Sequence, residues 1–117
     1  NGVVAANCGF YYDPLEAPKG IEFYRVETLF QQGKIKTPIS LKFVEAYTKK
    51  YGKAPTWMAA YGYDSINMLA KAALEAKLIP AQMQNYFKNT EREGAIGKIK
   101  FDSAADSLSE IELVKQN

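Results

Sequence analysis

The chain has 117 residues, of which 47% are hydrophobic and 24% charged, and this composition is typical of one soluble globular domain. Its 15 basic and 13 acidic residues are interspersed, so the sequence indicates no nucleic-acid-binding surface. No apolar run approaches the ~18 residues of a membrane-spanning helix. The first residues do not resemble a signal peptide. If the full-length protein is exported, we therefore expect its targeting segment to lie outside this chain.

The residue inventory gives no catalytic constellation. Histidine is absent, which excludes histidine-containing triads and histidine metal sites, and we expect no cofactor and no metal. The single cysteine, Cys8, stands beside Gly9 with no basic residue close in sequence, so a buried structural thiol is predicted rather than a reactive one. Asp102 and Asp106 could approach each other, but they are better explained as parts of a turn between two strands.

The first elements are a strand and a helix. Residues 2–6 form a short apolar run that predicts a strand buried on both faces. A loop rich in proline and glycine follows. Phe23, Val26 and Phe30 then recur at helical spacing, which predicts a helix over residues 21–32 with Gly33 as its left-handed cap.

The second predicted helix has clear signals at both ends. Thr37 caps its start, Pro38 occupies the first helical position, and Gly52 ends it. Three aromatic residues spaced four apart form one ridge along this helix: Phe43, Tyr47 and Tyr51.

A third helix is predicted over residues 57–77, with Thr56 as its cap. One face is made largely of small residues, and we expect it to pack closely against a sheet or another helix. The members of this face are Ala59, Gly62, Tyr63, Ile66, Ala70 and Ala73.

A fourth helix is predicted to start at Pro80 and to end before Gly94. Residues 97–101 and 110–115 alternate between apolar and polar side chains and predict two strands joined by a polar turn at residues 102–106. Four helices with only three short strands leave most of an α/β sheet unaccounted for.

The order of the motifs resembles the C-terminal part of the type I periplasmic solute-binding proteins, the branched-chain amino-acid-binding family. The resemblance is carried by FVEAY at 43–47, YGKAP at 51–55, AAYGYDS at 59–65 and GAIGKIKFD at 94–102. It implies a periplasmic-binding-protein-like α/β fold with a three-layer, Rossmann-like lobe, present here as a partial lobe rich in helices. It further implies that the chain corresponds to roughly the last third of a two-lobed protein.

The family resemblance also implies where the chain passes between the lobes. Residues of about 10–101 would pack with the N-terminal lobe, and residues 106–117 would return to the other lobe. Two departures from the family pattern stand out. The stretch 15–36 is longer than the usual connection, and Ala105 replaces the usual turn glycine, although alanine tolerates a positive φ poorly.

Four aromatic residues are the candidate ligand contacts. Trp57 and Tyr61 lie at the start of the third helix, which the resemblance places at the interlobe cleft, and their rings would suit a small amphipathic ligand. Phe10 and Tyr11 follow the first strand and would line the hinge side of the cleft. Packing within a helix interface or the hinge is the alternative for both pairs.

The neighbouring Tyr63 and Asp64 also belong to the family pattern. We expect Tyr63 to be a core residue and Asp64 to bond a neighbouring backbone or helix.

The function implied by the resemblance is binding without catalysis. We expect a fragment of a periplasmic or extracellular protein, secreted or lipid-anchored, that delivers an amino acid or similar small organic ligand to the permease of an ABC importer. A homodimer of the fragment is a further possible assembly. The alternatives are a ligand-sensing domain of a receptor or regulator and an independent helical interaction module.

Overall fold

The computed structural model describes residues 3–6 and 22–116, which form five strands and three helices. The elements in chain order are β1 (Val3–Ala6), β2 (Glu22–Thr28), α1 (Pro38–Tyr51), α2 (Trp57–Glu75), α3 (Pro80–Asn89), β3 (Arg92–Gly94), β4 (Gly97–Ile99) and β5 (Ile111–Gln116). Within the described ranges, none of the three helices has the length and hydropathy needed to cross a bilayer.

The strand β2 is the centre of a three-stranded sheet. It pairs in parallel with β1, from Val3 opposite Glu22, and antiparallel with β5, as far as Thr28 opposite Ile111. The helix predicted over residues 21–32 is therefore wrong. Aromatic and β-branched residues favour extended structure here, and the backbone of this segment supplies the partner that β1 and β5 both need.

Charges on β2 are neutralised where the sheet brings like charges together. Glu27 is buried and lies directly opposite Glu112 of β5, a pairing that would be repulsive by itself. Each carboxylate has its own cation. Arg25 Nε donates to Glu27 Oε1 over 2.7 Å, and Lys34 forms an ion pair with Glu112.

The two long helices begin as predicted. Thr37 Oγ1 accepts a hydrogen bond from Ser40 N, and Gly52, whose φ is 68°, caps the C-terminal end of α1. Thr56 Oγ1 accepts from Ala59 N at the start of α2. Helix α2 ends at Glu75, two residues before the predicted end.

The buried side of α2 differs from the predicted one. Its buried residues are Ala60, Asp64 and Ala72, which are spaced by multiples of four and include the position that contacts the β3–β4 hairpin. The predicted small-residue face is exposed over most of its length. Ile66 is 68% exposed, and an added Cβ at Gly62 would meet nothing within 4 Å among the described residues.

A small apolar core joins α1, α2 and the hairpin. Phe43, Ala60 and Ala95 are buried there, and Phe30 packs against them from the segment that follows β2. The centroid of the Tyr63 ring lies 4.7 Å from that of the Phe43 ring. Tyr63 is nevertheless 44% exposed, so the prediction that it is a core residue is wrong in the described structure.

The C-terminal turn keeps its geometry without glycine. Asp102 Oδ1 accepts hydrogen bonds from the backbone N–H groups of Ala104 and Asp106, each over 2.9 Å. Ala105 takes the left-handed conformation at φ 70°. The predicted role of Asp102 in a strand–turn–strand link is confirmed, and its two backbone bonds offset the conformational cost at Ala105.

The molecule is elongated. Its radius of gyration is 17.1 Å, whereas a compact domain of this length would have about 13 Å. The sheet β1-β2-β5 is one body, and the helices with the β3–β4 hairpin are the other. Residues 29–37 and 100–110 connect them.

Candidate functional site

A cleft of about 400 Å³ lies where the two connecting segments meet the start of the helices. We call it the Tyr61 cleft. Its hydroxyl groups belong to Thr28 at the end of β2, Thr37 at the cap of α1, Tyr61 on α2 and Ser109 before β5. Both connecting segments and helix α2 therefore contribute to this one site.

Apolar side chains make up much of the remaining lining. They are Leu29, Ile35, Ile96 and Leu108. A mixture of apolar walls and a few hydroxyl groups is typical of sites for small organic molecules, and the volume lies within their usual range of about 300–1,000 Å³.

Trp57 and Tyr61 are held together by the geometry of α2. They lie one helical turn apart, and their rings meet edge to face with centroids 5.7 Å apart and planes at 89°. Both residues are partly buried. Tyr61 lines the cleft, whereas Trp57 does not and instead contacts the Tyr61 ring. The other two predicted contacts, Phe10 and Tyr11, lie outside the described residues and stay predictions.

Asp64, one turn further along α2, bonds the β3–β4 turn. Its Oδ1 accepts from Ala95 N over 2.8 Å and its Oδ2 accepts from Ile96 N over 2.9 Å. The predicted bond of Asp64 to a neighbouring backbone is thus confirmed. Burial raises the pKa of Asp64, while the hydrogen bonds from Ile96 and Ala95 act in the opposite direction.

Gly94 leaves the space that the Asp64 carboxylate occupies. A Cβ at this position would stand 2.5 Å from Asp64 Oδ2. The same turn ends at Gly97, whose φ is 95° and whose missing side chain leaves room for Ile35, with Cδ1 at 2.9 Å from an added Cβ. The sequence predicted a turn here, but nothing in it indicated contact with Ile35.

The basic residues at the cleft already have a carboxylate partner. Lys98 Nζ lies 2.7 Å from Glu91 Oε1, and Lys100 Nζ lies 3.7 Å from Glu91 Oε2. The hydrogen bond from Lys98 is the main cause of the lowered pKa of Glu91, and it raises the pKa of Lys98 in turn. Glu110 also lines the cleft, so the two lysines are matched by two glutamates and this edge carries no net charge.

Metal ligation has no candidate in the part of the chain that the structure describes. Residues 3–6 and 22–116 contain no group of three histidine, cysteine, aspartate or glutamate side chains arranged to hold an ion.

The profile of a protein family described as periplasmic binding protein matches residues 4–109. The chain belongs to this family. The predicted resemblance to the type I branched-chain amino-acid-binding proteins and the α/β fold class are both confirmed. A match over most of the chain also argues against an unrelated helical interaction module.

Solved structures with the same fold include several binding proteins. The leucine-binding protein LivK from Thermotoga maritima is 25% identical, with a TM-score of 0.71 over 98% of this chain and 36% of its own. LivJ from Streptococcus pneumoniae, in complex with isoleucine, is 24% identical, with a TM-score of 0.68 over 96% of this chain and 37% of its own.

A relative with a different ligand shares the fold as well. The solute-binding protein of an ABC transporter from Rhodopseudomonas palustris, in complex with 3,4-dihydroxybenzoic acid, is 23% identical, with a TM-score of 0.61 over 86% of this chain and 28% of its own. The chain thus spans about a third of the length of these structures. A search of curated protein sequences found no match.

Proposed function

We propose that the chain is part of an extracytoplasmic solute-binding protein that binds an amino acid or a comparably small organic molecule at the Tyr61 cleft and delivers it to an ABC importer. No catalysis is involved. The observation that carries this proposal is the cleft itself, which gathers Tyr61 and three other hydroxyl groups at the junction between sheet and helices. Membership of the periplasmic binding protein family supports the same conclusion.

The composition of the cleft favours an amphipathic ligand. Its aliphatic side chains would cover the apolar part, and the hydroxyl of Tyr61 would bond the polar part. The hydroxyls of Thr28 and Ser109 already bond Gln31 Oε1 and Ser107 Oγ, over 3.0 and 2.7 Å. Trp57 affects binding indirectly, because its edge-to-face contact restricts the ring of Tyr61. A restricted ring loses less conformational freedom when a ligand binds.

We place the hinge of the binding protein at residues 29–37 and 100–110. Strand β2 pairs with β5, so residues 22–28 belong with the returning strand and the passage to the helical lobe comes after Thr28. This position is later than residue 10, the start of the segment that the family pattern assigns to the N-terminal lobe. Closure of two lobes about this hinge would follow from tighter ligand binding in the closed state.

The exposed apolar side chains support packing against parts of the two-lobed protein that lie outside these residues. Ile66 and Leu69 on α2 are 68% and 48% exposed, and Tyr51 at the end of α1 is 54% exposed. Large contiguous apolar surfaces are uncommon on soluble monomers, and they mark interfaces. We propose that this surface packs against the remainder of the two-lobed protein, with a homodimer of the segment as the arrangement that would replace it in isolation.

Replacement of Tyr61 in the intact protein tests the proposed site. We expect Tyr61→Ala to weaken the binding of the protein's amino acid at least tenfold, because a buried aromatic contact and a hydroxyl bond are both lost. Tyr61→Phe should weaken it less. Tyr86→Ala is the matched control, since Tyr86 is partly buried like Tyr61 but does not line this cleft. Calorimetric titration with L-leucine and L-isoleucine measures the change, and unchanged affinity in Tyr61→Ala would contradict the site.

A further inference from the structure

The β3–β4 turn is fixed from two sides by residues that come from different elements. From α2, the carboxylate of Asp64 accepts hydrogen bonds from Ala95 N and Ile96 N over 2.8 and 2.9 Å. From the first connecting segment, Ile35 fills the space beside Gly97. Asp64 is only 4% exposed, so these bonds are shielded from competing water.

The fixed turn is also a wall of the Tyr61 cleft. Ile96 and Gly97 both line the cleft, and so does Tyr61, three residues before Asp64 on the same helix. Asp64 does not line it. The carboxylate therefore joins the backbone of one wall directly to the helix that carries another.

We propose that Asp64 is a positioning residue for ligand binding, which sets the placement of Ile96 and Gly97 relative to Tyr61 without touching the ligand. The proposal rests on the proposed function of the cleft. Two charge-assisted bonds to adjacent N–H groups define the orientation of the turn, whereas a single bond would leave it free to rotate. Gly94 is needed for this arrangement, because any side chain there would occupy the place of the Asp64 carboxylate.

Three variants of the intact protein test this role. Asp64→Asn keeps the shape but offers only one acceptor oxygen, so one of the two N–H groups loses its partner. Gly94→Ala leaves Asp64 in the sequence but displaces its carboxylate. Their double variant completes a mutant cycle. Glu45→Gln is the matched control, since Glu45 is exposed on α1 and lies outside both the cleft lining and the connecting segments.

Two readouts separate positioning from a general contribution to stability. The first is the affinity for L-leucine and L-isoleucine, measured well below the unfolding temperature so that only folded protein is observed. The second is hydrogen exchange at Ala95, Ile96 and Gly97, which needs no ligand. We expect each single variant to weaken binding by roughly tenfold and to speed exchange at the turn by a similar factor. The double variant should be no worse than either single one.

The outcomes are distinct. Faster exchange confined to the turn, together with weaker binding and non-additive effects, supports the positioning role. Unchanged affinity of the folded variants overturns it, as does exchange that rises evenly through α1 and α2. If the unaltered protein binds neither amino acid, the proposed ligand class fails. In that case, local acceleration of exchange at the turn still supports the link between Asp64 and the cleft wall, and its absence still overturns it.

Discussion

The indole of Trp57 stands edge-on to the phenol ring of Tyr61, with ring centroids 5.7 Å apart. The two residues are thus coupled, although only Tyr61 reaches the cleft. Edge-to-face aromatic pairs contribute about 0.5–1.5 kcal/mol beyond the area that they bury. The contact explains how a residue at the start of α2 can affect binding without contacting the ligand.

Replacement of Trp57 should therefore reduce both stability and affinity. We expect Trp57→Ala to lower the free energy of unfolding by about 2–4 kcal/mol, since a partly buried large ring is lost, and to weaken ligand binding several-fold. Trp57→Phe retains an aromatic edge and should change both quantities less. Chemical denaturation and calorimetric titration measure the two effects. A direct ligand contact by Trp57 would show instead as a loss of affinity with stability unchanged.

Gly97 is expected to tolerate no side chain. Gly97→Ala places a Cβ at positive φ and 2.9 Å from Ile35 Cδ1, so we predict a loss of about 1–3 kcal/mol in the free energy of unfolding. Addition of Ile35→Ala should relieve the steric part of this loss but not the conformational part. Thermal unfolding of the two single variants and the double variant gives the coupling energy, and strictly additive effects would show that the two residues do not meet.

The exposed face of α2 tests whether it is covered by parts of the protein outside these residues. If Ile66 is covered by chain outside these residues, Ile66→Ala in the intact protein should cost about 2–4 kcal/mol of stability. A residue left 68% exposed should change stability by less than about 0.5 kcal/mol when truncated. Leu108→Ala is a useful comparison, because Leu108 is 52% exposed and belongs to the cleft rather than to this face. Denaturant unfolding of both variants separates the two cases.

Four carboxyl groups should have pKa values that differ from their usual ones. Hydrogen bonds from Lys115, Lys98 and Lys34 lower the pKa values of Glu22, Glu91 and Glu112 respectively, and burial raises the pKa of Asp64. The three glutamates therefore contribute stability above their unfolded pKa of about 4.3, and this contribution is lost as the pH falls through their lowered values.

The raised pKa of Asp64 has the opposite effect on the pH dependence of stability. Its raised pKa means that the folded state holds the proton more tightly, so its contribution to stability falls as the pH rises from about 3.9 through the folded value. Residue-specific carboxyl titration by NMR measures all four groups. High salt should weaken the shifts of the exposed glutamates far more than that of Asp64. An Asp64 that titrates below its usual value would show that its two hydrogen bonds outweigh its burial.

The parts of the fold that the sequence predicted are those with local signals. Thr37, Pro38 and Gly52 specify α1 by themselves, and the alternation at residues 110–115 predicts β5, which the structure has at Ile111–Gln116. The sequence does not indicate strand β2, because Phe23, Val26 and Phe30 also fit a helical period and only pairing with two distant strands decides the structure. Local spacing carries no information about such partners.

The site shows the same division. Tyr61 could be proposed from its place at the start of a helix and from the family resemblance, and Asp64 from its motif. Ile35, Ile96 and Ser109 could not, because they reach the cleft only after β2 and β5 pair and bring both connecting segments together. The sequence also could not predict that the small-residue face of α2 is exposed, since the predicted packing partner is not among the described residues.

Comparison of the isolated 117-residue chain with the intact protein tests the central claim most directly. The claim is that this segment supplies only part of a ligand cleft, which the remainder of the two-lobed protein completes. Calorimetric titration with L-leucine and L-isoleucine should show binding by the intact protein and no measurable binding by the isolated chain. Micromolar binding to the isolated 117 residues would contradict the account, because the Tyr61 cleft would then be a complete site by itself.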